Sequence, residues 1–144
     1  MKKLLTIIAL VVVTLAVPVL VQAQTWHSTN QVTLAWDVVP MPVGTNGQPL
    51  PGSVAYDVYS VGSTAAKTTA ALVTRVTTPQ AVVSFSAEGK YYLGVRSVRV
   101  ISPTEELTSE ISWSDNVAVV QSGNTFGVAY YISLPAPGGL RLSQ

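Results

Sequence analysis

The chain reads as all-β, an antiparallel sandwich of about seven short strands. Apolar and polar residues alternate with period two through most of the chain beyond residue 24, and helical periodicity is almost absent. The alternating runs are rich in Val, Thr, Tyr and Ile, and clusters of Pro, Gly, Asn and Ser separate them.

The elements follow in order. Met1 to Ala23 has the three parts of an export signal: Lys2 and Lys3, an apolar stretch from Leu4 to Val21, and Val21-Gln22-Ala23 before a cleavage point. The mature chain is therefore expected to start at Gln24 and to be extracellular or periplasmic. The rival reading is an uncleaved membrane anchor, which Pro18 and the cleavage point disfavour. Residues 24–116 are expected to form the sandwich. Thr25 to Asn30 offers a poorly marked first strand. In Gln31 to Asp37, Val32, Leu34 and Trp36 share a face. Residues 39 to 53 hold four prolines and three glycines, with Asn46-Gly47 as a turn signal. In Val54 to Val61, Tyr56 and Val58 face one side, Asp57 and Tyr59 the other. Residues 62 to 71 read as a loop, Leu72 to Thr77 as a weaker strand and Ala81 to Ser86 as a short one. Lys90 to Val100 is the longest alternating run, with Tyr91, Leu93, Val95 and Ser97 on one face. Ser102 to Glu106 reads as a turn and Thr108 to Ser114 as a strand. Residues 117–144 read as an extension: Val117 to Val120 and Phe126 to Leu134 as a hairpin, with residues 125 to 134 expected to dock in cis and docking on a partner as the alternative, then a loose Pro/Gly tail from Pro135.

These strands resemble a fibronectin type III domain, an immunoglobulin-like sandwich found in secreted bacterial and phage-related proteins. Val32-Thr-Leu-Ala-Trp36-Asp37 is similar to the family's strand B, and Val54-Ala-Tyr56-Asp-Val58-Tyr59 to its strand C. Gly89 to Val98 is similar to strand F, and Thr108 to Asp115 stands where strand G belongs. The resemblance covers about residues 28 to 116. It implies that Trp36 is the core tryptophan and that the Tyr91 hydroxyl bonds back to backbone near Ser86 to Glu88. The tail Leu134-Pro-Ala-Pro-Gly-Gly-Leu-Arg-Leu-Ser143 looks like the opening of another such domain.

Composition narrows the chemistry. The chain has 144 residues, a formal net charge of +1 and no cysteine. Loss of Lys2 and Lys3 leaves six basic against seven acidic side chains, which argues against a nucleic-acid binder. Thiol nucleophiles, thiolate metal sites and disulfides are excluded. His27 is the single histidine, so a Ser-His pair has one place to form, near the chain start. Asp37, Asp57, Glu88, Glu105, Glu106, Glu110 and Asp115 are scattered along strands and turns, and they read as solvated surface acids rather than a glycosidase pair. No catalytic residue, metal site or cofactor is expected.

The aromatics are the informative side chains. Trp36, Tyr56, Phe85 and Tyr91 fall on inward faces and are expected in the core. Trp26, Tyr59, Trp113 and Tyr131 are the candidate surface aromatics, able to stack on a sugar ring or anchor a protein interface. The alternative for Tyr92 and Trp113 is that they cover one sheet beneath Arg96 or Arg99. The expected function is a secreted non-catalytic module for protein interaction, adhesion or spacing, with another protein or a cell-surface component as partner. A carbohydrate-binding module acting on polysaccharide is the alternative.

Overall fold

The structure, a computed structural model, describes residues 23–135. Most of the expected signal segment, residues 1–22, and the tail from residue 136 lie outside the described residues. Nine strands make two sheets. They are β1 (Thr25–His27), β2 (Gln31–Ala35), β3 (Ser53–Gly62), β4 (Ala71–Val76), β5 (Gln80–Ser84), β6 (Gly89–Ser102), β7 (Glu105–Thr108), β8 (Ser112–Trp113) and β9 (Phe126–Tyr130). The large sheet has the order β1-β9-β6-β3-β4, with β7 and β8 paired further along β6. The small sheet is the antiparallel pair β2-β5.

The core lies between them. Val58, Leu93 and Val128 from the large sheet meet Ala81 and Val83 from the small one, with Val32, Leu34, Val95 and Phe126 packed around. These are the inward positions of the alternation, and burying them stabilises the sandwich by ~1.5–3 kcal/mol per large side chain. Tyr56 is buried, whereas Trp36, Phe85 and Tyr91 are only half-buried. Trp36 packs edge-on against Tyr56 at 5.3 Å, and Phe85 lies 4.7 Å from Tyr91.

Several segments differ from the sequence expectation. Thr108 to Ser114 is not one strand. The Ser109 hydroxyl accepts the Ser97 N–H at 3.0 Å, so the chain bows away at residues 109–111 and resumes as β8. Glu105 and Glu106 are not in a turn. β6 runs on to Ser102 and offers an edge, onto which β7 folds with Glu106 opposite Val100. The loop over 62–71 carries one short 3-10 turn, Lys67–Thr69. Val117 to Val120 forms no strand, because Asn116 gathers it into turns. Its Oδ1 accepts the Ala118 N–H at 3.0 Å, and its carbonyl accepts those of Val119 and Val120. No hairpin forms there. Instead β9 docks in cis between β6 and β1, antiparallel to the first and parallel to the second. Gly52 passes so close to β6 that a Cβ there would sit 2.5 Å from the Val100 carbonyl oxygen, at a φ of +116°.

Candidate binding surfaces

The outer face of the large sheet carries the side chains that alternate with the core residues. Asp57 on β3 is one of them, and it is fully buried rather than solvated. Register explains this: Asp57 lies opposite Arg75 on β4 and opposite Arg96 on β6, so both guanidinium groups close over it. Arg75 Nε donates to Oδ1 at 2.6 Å, and Arg96 Nη2 donates to Oδ2 at 2.9 Å. The Tyr59 hydroxyl donates to Oδ2 at 3.4 Å. Arg75 also reaches Glu106 at 2.6 Å, which joins β7 to the network. Burial alone pushes the Asp57 carboxyl up. The hydrogen bonds and charges of Arg75 and Arg96 outweigh it and hold the carboxyl below its ordinary value. Burial, and then the charge of Asp57, push the Tyr59 phenol up. Hydrogen bonds to Asp57 and Glu106 raise Arg75 further still.

The candidate aromatics line the same face. Trp26 lies 5.5 Å from Tyr92, with Lys90 Nζ 4.8 Å above its ring. Trp113 is buried rather than exposed: Lys67 Nζ stands 5.4 Å over it and pairs with Asp115 at 2.6 Å. Tyr59 has the Arg96 guanidinium 5.2 Å away. Arg99 instead binds the Pro51 carbonyl. Beneath the two tryptophans lie glycines. A Cβ at Gly127 would sit 2.5 Å from Trp26, and one at Gly94 2.8 Å from Trp113. Each of Trp26 and Trp113 therefore has one ring face on bare backbone and the other under an ammonium group. The fourth candidate, Tyr131, is well exposed but lies beyond β9, apart from these rings.

A second feature was invisible in the sequence. A cleft of about 420 Å³ opens at the side of the sandwich, walled by Leu34, Trp36, Leu93, Val95, Val119 and Phe126. It exists because the small sheet has two strands among the described residues and because Val119 stands in a turn rather than a strand. The indole Nε1 of Trp36 is buried there without a hydrogen-bond partner among the described residues.

The edge of β2 borders this cleft. The Trp36 N–H donates to Pro79 and the Phe85 N–H to Asn30, so even-numbered residues of β2 face β5. Odd-numbered residues turn their backbone groups outward. Those of Gln31 are met by the Thr29 hydroxyl at 2.9 and 3.2 Å. Those of Thr33 and Ala35 find no partner among the described residues. Such an edge is a template for another strand. Among the described residues no three His, Asp or Glu side chains gather as a metal site. Compared with known proteins the chain stands apart: no family model, no curated protein and no solved structure matches it.

Proposed function

We propose that this chain is an exported, non-catalytic module of the fibronectin type III kind, serving protein interaction, adhesion or spacing. The observation that carries the binding role is the unpaired edge of β2 beside a cleft whose apolar wall is joined by Asp37, Ser112, Ser114 and Gln121. An extended peptide laid on that edge gains backbone hydrogen bonds from Thr33 and Ala35 and places alternate side chains in the cleft. The family reading is supported by the Tyr91 hydroxyl, which donates to the Ala87 carbonyl at 2.9 Å, and by a two-stranded sheet facing a larger one. The absence of catalysis is argued from the inventory: one histidine, exposed on β1, and one buried carboxylate already committed to two arginines.

The carbohydrate reading is disfavoured because Trp26, Tyr59 and Trp113 each lie under a cationic side chain, which leaves Tyr131 as the one well-exposed candidate ring. Selection of extended peptides against the exported chain, beside a polysaccharide pull-down, tests both readings. Peptide binding that Ala35→Pro abolishes is the expected result. Polysaccharide binding lost in Trp26→Ala, with no peptide bound, would overturn it.

A further inference from the structure

Asn46-Gly47, the turn signal in residues 39 to 53, takes no part in the binding surfaces above. We propose that Asn46 is a modification site. The chain converts it, without an enzyme, to aspartate and isoaspartate through a cyclic imide, and the isoaspartate form loosens the hairpin tip. The local fold sets up the reaction. Val43 bridges Pro49, the Gly44 N–H donates to the Gln48 carbonyl at 2.8 Å, and the Leu50 N–H donates to the Pro42 carbonyl at 2.8 Å. Gly44 to Gly47 closes as a β-turn, with the Gly47 N–H on the Gly44 carbonyl at 2.9 Å and Gly47 at a φ of +74°. Asn46 Oδ1 accepts the Gln48 N–H at 3.1 Å, which polarises the side-chain carbonyl and favours negative charge on its oxygen. Asn46 is exposed, so its nitrogen can leave into water.

The Gly47 nitrogen forms a bond to Asn46 Cγ, and Nδ2 leaves as ammonia with the proton that the Gly47 nitrogen gives up. Water then opens the imide. Breaking the bond to Cγ gives aspartate. Breaking the bond to the main-chain carbonyl carbon gives isoaspartate, whose main chain runs through Cβ and Cγ and is one carbon longer. Nothing is oxidised or reduced. Of the four asparagines, Asn30, Asn116 and Asn124 are equally exposed and are followed by Gln31, Val117 and Thr125. Asn116 is a matched control, because its Oδ1 also accepts the N–H two residues on, from Ala118 at 3.0 Å. The difference is the residue in between. The branched side chain of Val117 shields its own nitrogen, whereas Gly47 has no side chain and even an added Cβ would meet nothing within 4 Å. The bond from the Gly47 N–H to Gly44 opposes the reaction and has to open first. Thr45 to Pro49 are all exposed and none belongs to the core, so this opening is local and needs no unfolding.

Peptide mapping of the folded full chain, held warm at pH 6 and at pH 8 and sampled over weeks, tests this. The expected result is loss of ammonia with gain of water at Asn46, ~10-fold or more faster than at Asn30, Asn116 or Asn124. The rate should be higher at pH 8, because the Gly47 nitrogen reacts after losing its proton. Aspartate and isoaspartate peptides should both appear. Asn46→Ser keeps a turn-forming residue and should yield neither. In the aged chain the Gly44, Gly47 and Leu50 amides should exchange faster, while the Leu93 amide and the melting curve match the fresh chain. A folded chain unmodified at Asn46, modification of Asn116 at the same rate, or a rate that does not rise with pH would overturn the site. An isoaspartate-rich chain whose Gly44 and Gly47 amides exchange as before would overturn the loosening. Neither result depends on whether β2 binds a peptide.

Discussion

Asparagine in place of Asp57 is expected to destabilise the fold by about 2–4 kcal/mol. The carboxylate is fully buried and accepts from Arg75 Nε at 2.6 Å, Arg75 Nη2 at 3.2 Å, Arg96 Nε at 3.1 Å and Arg96 Nη2 at 2.9 Å. An amide keeps one acceptor oxygen and sets its own NH2 against guanidinium donors, so one arginine must turn away. Breaking a fully buried pair costs ~3–5 kcal/mol. The side chains of Arg75 and Arg96 are 39% and 29% exposed, so the displaced one regains water and the loss falls below that range. For a domain of this size the change lowers Tm by roughly 10–20 °C. The pH dependence gives a sharper check. The unfolded carboxyl titrates near 3.8 and the folded one lower. Between the two values the unfolded chain takes up the proton first, so the contribution of Asp57 is complete above 3.8 and fades as pH falls through the folded value. Urea unfolding of both proteins at pH 7 and at pH 3 measures this. A gap below ~0.5 kcal/mol at pH 7, or a gap that does not shrink at pH 3, would refute the reasoning.

Gly127→Ala and Gly94→Ala should each cost ~1–3 kcal/mol in urea unfolding, because the new methyl meets Trp26 or Trp113 well inside contact distance; neutral results would mean that the rings do not rest on the backbone. Tyr91→Phe should cost ~1 kcal/mol by thermal melting, and a melt equal to wild type would show that the hydroxyl is no tether for the β5–β6 turn. Trp36→Phe removes a buried donor that has no partner among the described residues, so the variant's stability by thermal melting should stay within ~1 kcal/mol of wild type. Mass spectrometry of the exported chain should find Gln24 at its N-terminus, and intact Met1 to Ala23 in a membrane fraction would contradict the signal reading.

The strands with one wet and one dry face were legible in the sequence. Alternation placed β2, β3, β5 and β6 within a few residues, and the inward faces that carry Val58 and Leu93 with them. β7 was not legible because Glu105 to Thr108 is exposed on both faces and carries no period. Val117 to Val120 misled because three valines outweigh one asparagine in any apolar count, while the hydrogen bonds of Asn116 decide the backbone. Asp57 showed as an outward acid, and its direction was right. Its burial depends on which residues of β4 and β6 lie opposite, a register that no local pattern contains. The same gap hid the cleft, which opens because no strand among the described residues covers the edge of β2.

The parallel pairing of β1 with β9 has a mechanical consequence. Thr25, Trp26 and His27 lie beside Phe126, Gly127 and Val128, so the first and last strands described run side by side in one direction. Tension drawn through the two ends of such a chain pulls β1 backward and β9 forward along their common axis. The bonds between them are then sheared together instead of being peeled one at a time, and the Trp26 ring over Gly127 has to slide with them. A module strung between neighbours through its two ends would meet load with its most resistant geometry, although the ladder involved is only three residue pairs long.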